Sequence, residues 1–143
     1  ELLFDQGLGD LFVVRVAGKI VDSAVVGSLE YAVLHLGTPL IMVVGHERCG
    51  AVKATVDALE GVPAREDRDT SIGFLADLIA PAVRATPKNS KNLLEASIVQ
   101  NALNSARVLA ERSRPLQARV SSGSLRITAS YYDLDDGVVR LLG

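Results

Sequence analysis

Leu40-Ile41-Met42-Val43-Val44 is an unbroken apolar run between Pro39 and Gly45. A strand covered on one face alternates apolar and polar residues, so a continuous run predicts a strand buried on both faces, as in parallel sheets. Parallel strands need helical crossovers, and helical patterns stand on both sides of the run. Asp22-Ser23 can cap a helix over Ala24 to Leu36, where Val25, Leu29, Ala32 and Leu36 form one stripe and Gly37 with Pro39 ends it. Ala51 to Glu60 reads as a second helix. Upstream, Leu11 to Val16 (LFVVRV) reads as a strand. Strand, helix, strand, helix predicts a βαβ unit with a right-handed crossover.

The remainder continues the pattern. Gly61 to Thr70 is a charged loop expected to face solvent. Ser71 to Ala85 is expected to be helical, kinked or split at Pro81. Leu93 to Arg112 predicts a long helix with Ile98, Ala102, Ser105 and Leu109 on one face. Pro115 to Ser122 reads as a loop, Leu125 to Tyr131 as a strand, Asp135-Asp136-Gly137 as a turn and Val138 to Leu142 as a last short strand. No repeat or linker interrupts the 143 residues. The expectation is a single α/β domain over residues 1–143, with a mostly parallel central β-sheet flanked by helices.

Composition removes several functions. Lys and Arg total 15 against 17 Asp and Glu, a net charge of −2, so no general field attracts nucleic acid or an anionic membrane. Aromatics make up 4% with no Trp, which disfavours a base-stacking surface. A single cysteine excludes an internal disulfide and a self-contained Cys-rich zinc site. No apolar run approaches a membrane span, and Glu1 to Asp10 lacks a signal-peptide pattern. Cytoplasmic localisation is the expectation. Glu1-Leu2-Leu3-Phe4-Asp5-Gln6 reads like the middle of a folded segment, so the domain is expected to be N-terminally incomplete.

The chemistry concentrates in Gly45-His46-Glu47-Arg48-Cys49-Gly50, at the carboxyl end of the buried strand, where open α/β sheets place their ligands. A tight turn can aim His46 and Cys49, two residues apart between them, at one metal, and zinc accepts that nitrogen and sulfur pairing. A helix start beside Cys49 favours a thiolate, and Gly45 and Gly50 allow close backbone approach. Two ligands do not hold a catalytic zinc, for which three protein ligands are usual. The other histidine, His35, falls in the first helix, away from the strand ends. On spacing alone, a buried structural Cys49 beside a loop His46 and a metal site are both open readings.

Taken together, several blocks resemble the β-class carbonic anhydrases: Gly9-Asp10-Leu11-Phe12-Val13-Val14-Arg15, Ser28-Leu29-Glu30-Tyr31-Ala32-Val33, Gly45-His46-Glu47-Arg48-Cys49-Gly50-Ala51, Gly123-Ser124-Leu125, Tyr132-Asp133-Leu134 and Asp136-Gly137-Val138. The order and distances match over essentially the whole chain. In that family two cysteines and one histidine hold zinc, with water or an aspartate in the fourth position. The resemblance matches His46 and Cys49 to the second and third ligands. It places the first cysteine in a Cys-x-Asp-x-Arg motif upstream of Glu1, so the catalytic Asp-Arg pair is expected outside this chain. Asp5, Asp10 and Arg15 align with other positions and are no substitutes. Phe12, Ala17 and Tyr31 match positions lining the carbon dioxide pocket, partly completed by a neighbouring subunit. Gly50 matches a position whose backbone N–H faces substrate. For Phe12 and Tyr31, plain core packing is the other reading. The family's usual Arg-Asn-Ala-Gly-Asn is replaced here by Arg15-Val16-Ala17-Gly18-Lys19, which removes two amide side chains from that loop.

The resemblance implies zinc-dependent, reversible hydration of carbon dioxide to bicarbonate, with zinc lowering the pKa of its bound water to supply hydroxide near neutral pH. It also implies a homodimer or larger homo-oligomer, with neither nucleic acid nor membrane as partner. A polypeptide starting at Glu1 is expected to bind zinc poorly and to hydrate little carbon dioxide. Two other readings stand beside this one: a non-catalytic homologue acting as a binding or regulatory module, and a redox thiol at Cys49. A dinucleotide site is disfavoured, because Gly7-Leu8-Gly9 leads toward a predicted strand and no Gly-x-Gly-x-x-Gly follows Val44.

Overall fold

A polar cap opens most of the helices in the computed structural model, which describes residues 2–62 and 70–143. Asp22 accepts from the Val25 N–H at the start of α1 (Ser23–His35). Thr70 does the same for α3 (Ser71–Ala85), Asn92 for α4 (Leu93–Arg112) and Ser113 for α5 (Arg114–Ser121). Cys49 opens α2 (Gly50–Leu59) without a side-chain cap. Three strands, β1 (Leu40–His46), β2 (Arg126–Tyr132) and β3 (Val139–Leu142), make a sheet in the order β1-β2-β3. β1 and β2 are parallel, with His46 opposite Tyr132, and β3 returns antiparallel to β2. The α/β class therefore stands, around a small mixed sheet.

The parallel connection from β1 to β2 runs through α2, α3, α4 and α5. Pro81 lies inside α3, which continues through it as one helix. α4 lies against both parallel strands and spans two apolar clusters. One cluster gathers Ile20, Cys49, Val52, Ile79, Ile98 and Tyr131 at the carboxyl end of β1. The other gathers Val21, Val33, Ile41, Leu109, Leu116 and Leu125 toward its beginning. The predicted inner face of α4 holds, since Ile98, Ala102, Ser105 and Leu109 are all buried. Gly45 lets α4 approach: a Cβ there would stand 3.3 Å from the Ala102 methyl and 3.3 Å from the Ser130 carbonyl oxygen.

Two element expectations change. Leu11 to Val16 forms no strand; it runs outside the sheet with Phe12 and Val13 exposed. A strand requires a neighbour to take its N–H and C=O groups, and among the described residues no ladder reaches this segment. β1 is consequently an edge strand, with Leu40 exposed and its middle half-buried. The predicted βαβ unit is not assembled, because α1 joins no pair of strands. The expected loop over 115–122 is instead α5, where Ser113 caps and Pro115 sits in the first turn. The charged loop over 61–70 falls mostly on residues 63–69, outside the described residues.

Candidate functional site

β1 delivers His46 to the sheet's carboxyl edge, and the Glu47 N–H extends the pairing by donating to the Tyr132 carbonyl at 2.9 Å. The chain then turns through Arg48, at φ 52°, and enters α2 from Cys49. This turn exposes His46 and buries Cys49, which is 2% exposed inside the first apolar cluster. His46 Nδ1 lies 2.9 Å from the Glu47 carbonyl oxygen. With its proton on Nδ1, the ring donates to that carbonyl and keeps Nε2 as its free acceptor.

A second turn braces the first. Arg48 donates to both Asp135 carboxylate oxygens, at 3.0 and 2.8 Å, and pairs with Glu47 at 3.2 Å. Glu47 also accepts from the Leu134 N–H at 3.3 Å. The Arg48 guanidinium holds the Asp135 carboxyl below the usual carboxylate range. Burial pushes the neighbouring Tyr131 phenol up, with Glu95, Glu47 and Asp133 adding to the shift.

The third wall comes from residues 17–19, a single 3-10 turn. Gly18 has φ 70°, and a Cβ there would run into the Ile79 side chain, so a larger residue is strained in its backbone and Ile79 must shift to admit it. α4 holds the turn by its backbone: Asn101 donates to the Gly18 carbonyl at 2.7 Å and Ser105 to the Lys19 carbonyl at 2.8 Å. Lys19 itself has φ 52° and reaches back, placing Nζ 3.8 Å from Cys49 Sγ. Burial lowers the Lys19 pKa, while the Cys49 sulfur opposes that shift.

These donors fit zinc in kind but not in number. An imidazole with a free Nε2 and a thiol at a helix start are suitable ligands. Among the described residues, however, no third His, Cys, Asp or Glu joins them. The one group of three close donors is Glu47, Asp133 and Asp135, whose oxygens already accept from Arg48, Arg140 and backbone N–H groups. His35 stands at the end of α1 against the Tyr31 ring, with centroids 5.0 Å apart.

The expected pocket residues are not gathered into one enclosed space. Phe12 is 45% exposed and Tyr31 53%, and Ala17 and Gly50 are also exposed. Neither described cavity is lined by them. The larger, about 290 Å³, lies between Ile20, Leu78, Pro81 and Val108; the smaller, about 60 Å³, lies beside Glu47, Arg48, Glu95 and Tyr131. In the sequence Lys19 stands out only as a departure from the family pattern, and nothing local announces its contact with Cys49. Asn101 did carry a signal, as a polar residue one turn before Ser105 on the inner face of α4.

The sequence profile described as carbonic anhydrase matches residues 1–139. Carbonic anhydrase 2 of Mycobacterium tuberculosis is 40% identical over 140 residues, covering 96% of this chain and 65% of that protein. The chain thus spans just under two thirds of that curated relative's length. Among solved structures, the β-carbonic anhydrase CcaA superposes with a TM-score of 0.81 at 23% identity, over 98% of this chain and 66% of that one. A tetrameric β-carbonic anhydrase of Sordaria macrospora superposes with a TM-score of 0.80 at 18% identity, over 99% and 73%. At those identities the structures bear on the fold, and the profile and the mycobacterial relative bear on the family. No described helix is long and apolar enough to cross a membrane. By sequence profile, relative and fold, this chain belongs to the β-carbonic anhydrase family.

Proposed function

We propose that this protein hydrates carbon dioxide reversibly to bicarbonate as a cytoplasmic zinc enzyme, with His46 and Cys49 as two of its protein ligands. The observation that carries the proposal is their placement at the carboxyl end of β1, either side of a tight turn, in a chain of this family. In the proposal the third donor is the cysteine of the Cys-x-Asp-x-Arg motif, which also brings the Asp-Arg pair. Zinc, when bound, supplies Lewis acidity and a nucleophile at neutral pH.

This chain's own residues have the supporting tasks. The Glu47 carbonyl orients the His46 ring. The Arg48–Asp135 pair fixes the turn between the two ligands. Gly50 begins α2, where the first backbone N–H groups have no partner within the helix, so its N–H can face an oxygen of bicarbonate. Phe12, Ala17 and Tyr31 are assigned to an apolar pocket for a neutral substrate. Their exposure in one chain fits a pocket that a second copy completes, in a homodimer or larger homo-oligomer.

One observation favours a second reading, a family member that binds without catalysing: the Cys49 sulfur is already partnered by the Lys19 ammonium. Zinc content and carbon dioxide hydration measured together on the full-length gene product separate the readings. Stoichiometric zinc with hydration supports the enzyme, and absence of both supports the binding module.

A further inference from the structure

Lys19 is held in an unusual place. Its carbonyl is fixed by Ser105 and that of the preceding Gly18 by Asn101, while Ile79 fills the space where a Cβ on Gly18 would stand. The side chain therefore leaves a rigid turn at φ 52° and runs inward, half-buried. Among the described residues no carboxylate pairs with it, and the Cys49 sulfur at 3.8 Å is its hydrogen-bond partner.

We propose that Lys19 is a positioning residue that donates its ammonium to the Cys49 sulfur and thereby restrains the affinity of that sulfur for a divalent cation. This rests on reading His46 and Cys49 as metal ligands. Two effects give one sign. A fixed positive charge a few ångströms from the buried ligand sulfur repels an incoming cation. An N–H donor on sulfur also draws on the electron density that the sulfur would offer to metal. A carboxylate beside Lys19 would cancel the first effect, and none is found among the described residues.

The test is cadmium binding, followed through the sulfur-to-metal charge-transfer absorption, for the wild type, K19M, K19Q, K19R and C49S. Cadmium is chosen because thiolate ligands select soft metals. K19M and K19Q are expected to bind about tenfold more tightly than wild type, and K19R, which keeps the charge, to stay within about threefold of it. Equal affinity in wild type, K19M and K19Q overturns the proposal. So does an equal change in K19M and K19R, which would mark a structural role. An absorption band that persists in C49S, or none in any variant, overturns the ligand reading of Cys49 whatever residue occupies position 19, and this inference with it.

Discussion

Cys49 and Lys19 show how one turn can decide a site's character. The sulfur is buried in the first apolar cluster just after Arg48 takes the left-handed conformation at the strand–helix junction, where Asp135 and Glu47 hold it. That ion pair is exposed on both sides, so it fixes geometry more than it stabilises the fold. Its titration has a definite sign. The Asp135 pKa is depressed in the folded protein, so the pair's contribution is present above the ordinary aspartate range and is lost as pH falls through the lowered value. An NMR titration of the Asp135 carboxyl is expected to give a midpoint below that of a free aspartate, and R48Q to return it to the ordinary range. At Gly18, alanine meets both a positive φ and the Ile79 side chain, and G18A is expected to lose about 1–3 kcal/mol in urea unfolding. Removing the Asn101 amide leaves the Gly18 carbonyl without its donor, and N101A is expected to cost about 1–3 kcal/mol.

At the scale of elements, the legible parts were those whose signal is local. The α4 stripe, the Asp22 cap of α1 and the β2–β3 turn all carry periodicity or turn chemistry within a few residues. α5 is not legible because Pro115 looks like a loop opener, although Ser113 two residues earlier is a cap and proline is tolerated in a first turn. Ser113 also donates to Glu30 on α1 at 2.6 Å, a tertiary link with no sequence signature. Leu116, fully buried, anchors α5 in the second apolar cluster, so L116A is expected to cost about 2–5 kcal/mol by urea unfolding. Leu11 to Val16 failed for the opposite reason: its β propensity is real, yet a strand exists only where a neighbour pairs with it. For the site, the His46-x-x-Cys49 spacing was legible, whereas the Lys19–Cys49 contact joins residues thirty apart that only the folded turn brings together.

At the scale of the whole molecule, apolar surface is unevenly covered. Leu2 and Leu8 are almost fully exposed, and Phe12, Val13 and Val16 follow them along one segment. A chain with such a segment is expected to bind a hydrophobic dye and to self-associate as concentration rises, readable by sedimentation. A monodisperse monomer that leaves the dye dark would contradict that expectation. Phe12 and Tyr31 are likewise exposed, and neither lines a described cavity. In the proposed reading the described residues supply two of the ligands, His46 and Cys49. The most direct test compares bound zinc and carbon dioxide hydration in the full-length gene product, its C49S variant and the chain beginning at Glu1. One zinc per subunit with hydration in the full-length protein, and loss of both in C49S and in the shorter chain, is the predicted result. Full zinc occupancy and undiminished hydration in C49S would contradict the account.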